Sequence, residues 1–171
     1  MTCRVETISK SDAGLRQIRQ AIRIFFARGD MIAVHTLTGA AFQVFTDLGK
    51  LKGIKSRYRG EDIVRPDRVA DLERALNHTQ NFLKHADKDP DATLSYVEEA
   101  SVLYLFEAVE LSYQVLRQDS RELLAFRIWF IVTHPDLVVP ELLSKITSLI
   151  PDGLDQSDKD LWTRWLDSPS V

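Results

Sequence analysis

Apolar residues return at helical spacing along most of the chain, and the breaks in that rhythm delimit its elements. Ser11 or Asp12 is placed to cap a first helix whose apolar side carries Leu15, Ile18, Ile22, Phe25 and Phe26 and which ends at Gly29. Asp30 caps a second, with the stripe Met31, Val34, Leu37, Ala41, Val44, Phe45 and Leu48, stopped by Gly49. So short a turn predicts an antiparallel hairpin. Pro66 suits the first position of a third helix, which runs to about Ala86 and ends in the turn Asp87-Lys88-Asp89-Pro90. A fourth is predicted from Asp91, carrying Leu94, Val97, Ser101, Tyr104, Ala108, Leu111 and Val115. Ser120 caps a fifth, Arg121 to about His134, that is apolar almost all round, as a helix central in a bundle or buried against a second subunit must be. Pro140 to Ile150 and Asp158 to Leu166 read as short closing helices anchored by Trp162, Trp165 and Leu166. No alternating strand pattern and no fixed-period repeat appears. The expected fold is all-α: one domain over residues 1–171, an up-and-down antiparallel bundle of four to five main helices with short C-terminal helices.

The rhythm fails between Lys50 and Arg65, where Lys50, Lys52, Lys55, Arg57, Arg59 and Arg65 surround Tyr58 between the breakers Gly53 and Gly60. This basic loop, at about 49–66, reads either as a solvated connection or as an anion- or RNA-contacting loop in which Tyr58 stacks on a base. Lys55, Arg57, Tyr58 and Arg59 are its candidate ligand contacts. Elsewhere charge offers little, because a net charge of −3 exerts no general pull on nucleic acid or anionic lipid.

Composition narrows the setting. At 171 residues, 44% hydrophobic and 27% charged, the chain is of ordinary globular make-up, which argues against disorder or a coiled coil. Cys3 is the only cysteine, so no internal disulfide and no cysteine-based zinc site can form, which suits a cytoplasmic protein. The N-terminus has no apolar run of the secretory kind, and the most apolar stretch, Leu123 to Val132, is too short for a membrane span. No membrane association and no cofactor are expected. Motifs for phosphate loops, nucleophile elbows and metalloproteases are missing. Glu98, Glu99, Glu107 and Glu110 lack the Glu-x-x-His partners of a carboxylate-bridged metal pair, so they read as a solvated acidic face. No metal site is expected from His78 and His85, and His35 and His134 read as packed or interfacial histidines.

The third helix is the exception. At about 100° per residue, Arg74, His78, Asn81 and His85 fall within roughly a 60° sector, opposite Val69, Leu72, Leu76, Thr79 and Leu83. One face packs and the other presents a guanidinium, an amide and two imidazoles. The run Gln80-Asn81-Phe82-Leu83-Lys84-His85 resembles the signature of the HEPN superfamily, in which Arg, a polar residue that is often Asn, three variable residues and His stand near the end of a long helix. Asn81 and His85 match that pattern; the Arg position holds Gln80. The resemblance implies a small helical bundle, often a homodimer, and in many members a metal-independent ribonuclease of toxin–antitoxin or defence systems. There the Arg is held to bind the scissile phosphate while His moves protons. A neutral amide at that position forfeits a charge-assisted donor, of which one is worth about 3–4 kcal/mol in a transition state.

Three functional expectations follow. The first is a catalytically degenerate HEPN-like binding protein, a homodimer taking RNA, a nucleotide or another anion on Arg74, His78, Asn81, His85 and the basic loop. The second is an active ribonuclease using His85 and Asn81, with Arg74 or a loop Arg supplying the cation. The third is a structural dimeric bundle whose interface is the fifth helix.

Overall fold

The computed structural model describes residues 5–54, 74, 76–85, 87, 89–138, 140–148 and 155–169. Among them every regular element is helical and none is a strand, so the chain is all-α. Helix α1 spans Lys10–Phe26 and α2 Met31–Leu51; residues 76–82 form a helical stretch, α3. Then come α4, Glu98–Leu116, α5, Arg121–Thr133, a short 3-10 turn over Pro135–Leu137, α6, Pro140–Thr147, and α7, Lys159–Asp167.

Local chemistry explains most boundaries, and some differ from the expected ones. α1 starts at Lys10 because Ser9, not Ser11 or Asp12, is its cap: the Ser9 hydroxyl accepts from the Asp12 N–H while the Asp12 carboxylate takes the Ser9 N–H. α2 begins as expected under Asp30, whose carboxylate takes the Ile32 N–H at 2.7 Å, but it runs through Gly49 to Leu51. Lys50 is therefore helical and pairs with Asp47, while Lys52 reaches across to the Val115 carbonyl at 2.7 Å. α3 gives way to a turn at 83–84, short of Ala86. The largest departure is α4, which starts at Glu98 rather than Asp91. Residues 93–97 are non-helical, and the Tyr96 hydroxyl donates to the Met31 carbonyl at 2.8 Å, which fixes them against the start of α2. Ser120 caps α5 and Asp158 caps α7, as expected. The start of the third helix at Pro66 falls outside the described residues.

α1 and α2 pack along each other and α2 packs along α4, with α5 laid against α1, α4, α6 and α7. The core is aromatic: Phe25, Phe26, Phe126, Trp129 and Trp162 meet edge-on or stacked, and Phe106 stacks on Phe130 at 3.9 Å between ring centres. Packing within the chain covers most of α5, and Leu124 is its one exposed large apolar residue. The acidic face expected on α4 is only partly solvated. Glu98 and Glu99 are exposed, but Glu107 is buried and Glu110 takes the Arg127 Nε–H at 2.6 Å. Among the described residues no helix is long and apolar enough to cross a membrane.

Candidate functional site

α3 lies with one face inward and one outward. Leu76 is buried with Tyr104 and Phe42, and Thr79 and Leu83 are half-buried, as the periodicity predicts. Arg74, His78 and Asn81 are exposed and share the opposite face. His85 follows the helix end, about half exposed, with its N–H on the Asn81 carbonyl at 3.1 Å and its Nδ1 4.0 Å from the Asp87 carboxylate. The four polar side chains thus stand on the outer side of the α3 segment. The other candidate contacts, Lys55, Arg57, Tyr58 and Arg59, lie outside the described residues. Among the described residues no group of three or more His, Cys, Asp and Glu could hold a metal ion.

Gln80 does not join that face. Its carboxamide sits over Gly39 of α2, so close that a Cβ at position 39 would fall 2.3 Å from Gln80 Oε1 and 2.6 Å from Nε2. Only glycine leaves this room. Both amide atoms are buried and neither has a hydrogen-bond partner, an arrangement that costs about 1–3 kcal/mol per unsatisfied group.

The same stripe of α2 carries further polar groups that periodicity alone does not single out. His35, one turn before Gly39, is 1% exposed, and its Nδ1 lies 2.8 Å from Ser101 Oγ. Ser101 Oγ is in turn 2.7 Å from Tyr96 Oη, whose hydrogen already goes to the Met31 carbonyl. Ser101 must therefore donate to Tyr96, which leaves His35 Nδ1–H as the donor to Ser101. The imidazole is then the Nδ1–H tautomer, with an Nε2 lone pair that meets no donor. Burial pushes its pKa down to about 4, so it is neutral at pH 7. Thr38 Oγ is likewise buried without a partner. The Tyr104 ring meets His35 at a tilt and Phe42 edge-on, and burial raises its hydroxyl to about 12. Neutral polar groups thus cluster where α3 meets α2 and α4.

A second polar assembly joins α1 to α5. Glu122 is 3% exposed and accepts from Arg19 Nε at 3.1 Å and from Arg23 Nε and Nη2 at 3.1 and 2.8 Å. Burial by itself would raise its carboxyl, but its own backbone N–H and the two guanidinium groups outweigh that and hold it at about 2. With Arg16 and Gln20 these residues line a cleft of about 250 Å³. Sequence carried a signal for this one, since arginines at 16, 19 and 23 share a helix face.

Comparison with known proteins finds no matching family model, no matching curated protein and no matching solved structure.

Proposed function

We propose that this chain acts by binding rather than by catalysis, as a degenerate HEPN-like bundle that presents His78 and Asn81 of α3, with Arg74 before it and His85 after it, to RNA, a nucleotide or another anion. The observation that supports this reading is the burial of Gln80 against Gly39. In the family pattern that position supplies the phosphate-binding cation beside Asn and His. Here it holds a neutral side chain turned away from Asn81 and His85, so the scissile phosphate would lack its charged donor. Three of the remaining polar groups stay on the exposed side, suited to contact rather than to bond cleavage. A homodimer belongs to the same reading, but α5 is largely covered within the chain and so gives it little motive.

Fluorescence anisotropy with a labelled single-stranded RNA, in a chelator and at low salt, tests the reading alongside a cleavage assay. Saturable binding is expected, weakened several-fold by combining Arg74→Ala with His78→Ala, without RNA breakage. His78→Ala by itself is expected to change stability by less than about 0.5 kcal/mol, as at other exposed positions. Cleavage abolished by His85→Ala would replace the reading with a ribonuclease. Neither binding nor cleavage would leave a structural bundle.

A further inference from the structure

Arg16, Arg19, Gln20 and Arg23 stand at i, i+3, i+4 and i+7 of α1, so one side of the helix carries three guanidinium groups and a carboxamide above the first turn of α5. Glu122 lies under them. By accepting from both Arg19 and Arg23 it fixes two guanidinium forks before any ligand arrives. Asp167 takes Arg23 Nη1 at 3.2 Å from the far side. Arg16 is held differently. It makes a two-point pair with Glu6, which belongs to the non-helical segment before α1, and both side chains are about half exposed.

We propose that this cleft binds a small oxyanion, a phosphate or phosphomonoester, and that Glu6 is the built-in carboxylate the ligand displaces from Arg16. The charges favour it. Arg19 and Arg23 are balanced by Glu122 and Asp167, so moving Glu6 away leaves the Arg16 guanidinium without a hydrogen-bonded carboxylate, with only the charge of Asp12 one turn earlier to offset it, beside two oriented neighbours. Geometry agrees, because a guanidinium fork matches an oxyanion edge with two parallel N–H donors, as the Glu6 carboxylate already demonstrates. Displacing Glu6 is undemanding, since an exposed ion pair contributes little. The cleft is open to solvent and its volume of about 250 Å³ gives room for a phosphate head group beside the three arginines. The site is separate from the α3 face and does not depend on the binding role proposed for it.

The test is an NMR titration of the full chain, reading the arginine Nε–H resonances, with inorganic phosphate and glycerol phosphate added separately against chloride of equal ionic strength. Saturable shifts of Arg16 and Arg19 at millimolar phosphate are expected. Arg16→Gln should weaken binding at least fivefold, and Glu6→Gln should tighten it several-fold by removing the competitor. Neither substitution touches Glu122, so the α1–α5 contact stays intact. Tighter binding of the ester would support a phosphomonoester ligand, and tighter binding of free phosphate would support the ion itself. Phosphate shifts unchanged in Arg16→Gln, an unchanged or weaker affinity in Glu6→Gln, or loss of binding on Arg74→Ala instead would each overturn the proposal.

Discussion

Glu122 and His35 are both buried polar side chains held between helices, yet their surroundings treat them in opposite ways. Around Glu122 the carboxylate oxygens meet Arg19, Arg23 and the Ser120 hydroxyl, so the charge is matched by hydrogen bonds at nearly every turn. Around His35 one ring nitrogen is bonded while the other, the Thr38 hydroxyl and the whole Gln80 amide lack partners. The first assembly ties α1 to α5 firmly, and losing a member leaves a charge stranded. The second is built of neutral groups, of which His35 Nε2, the Thr38 hydroxyl and the Gln80 amide carry an unrecovered desolvation cost. The two seams therefore differ in how fully their polar groups are satisfied, and the less satisfied one, where α3 meets α2 and α4, carries the face proposed for binding.

The harshest way to break this contrast is to strip the charged assembly. Arg19→Ala with Arg23→Ala leaves Glu122 buried with little but its cap bonds, and a loss of about 3–5 kcal/mol at pH 7 is expected from chemical denaturation. That loss should shrink in acid, where a stranded carboxyl takes up a proton. A double variant as stable as the wild type would show that Glu122 is solvated.

Acid alone should read the two assemblies in separate windows. His35 has a folded pKa of about 4 against an ordinary 6.5, so the unfolded chain binds its proton first and stability falls as pH drops between those values. At about 1.4 kcal/mol per unit the full loss is about 3 kcal/mol. Glu122, held at about 2 against 4.5, loses its stabilising contribution in a lower window as pH falls from 4.5 towards 2. Denaturation curves across pH 7 to 3 should show the upper slope vanish in His35→Phe and persist in the arginine double variant. An upper slope unchanged in His35→Phe would mean that the imidazole is not buried neutral.

The finest test concerns the contact at Gly39. The Gln80 amide is the flexible end of a long side chain, so a new methyl at 39 can push it aside at modest cost. Gly39→Ala is therefore expected to be about 1 kcal/mol less favourable in the wild type than in a Gln80→Ala background, where helix propensity alone favours alanine. Additive effects in that double-mutant cycle would separate the two residues.

Much of the helical frame was legible because it is written in neighbouring residues. Asp30, Ser120 and Asp158 announce α2, α5 and α7 through caps that act over two or three positions. The start of α4 is not legible locally because it is set from far away: Tyr96 reaches the Met31 carbonyl, and that bond holds residues 93–97 out of the helix. Glu98 and Glu99 at the new first turn, favourable beside the helix N-terminus, were the local clue. On α3 the exposed row of Arg74, His78 and Asn81 followed directly from periodicity. Gln80 did not. A polar residue between the two faces could turn either way, and only the space above Gly39 on another helix decides it. The unpaired groups of His35 and Thr38 escape sequence reading for the same reason, since partnership is a property of three converging helices.

The approach of Gln80 to Gly39 also links two positions in the history of the chain. While residue 80 keeps a long side chain folded over α2, any residue larger than glycine at 39 meets that side chain. Replacing residue 80 with something short lifts the restriction, after which alanine becomes the better helix former at 39. The two positions are thus expected to drift as a pair, with the change at 80 opening the way for the change at 39.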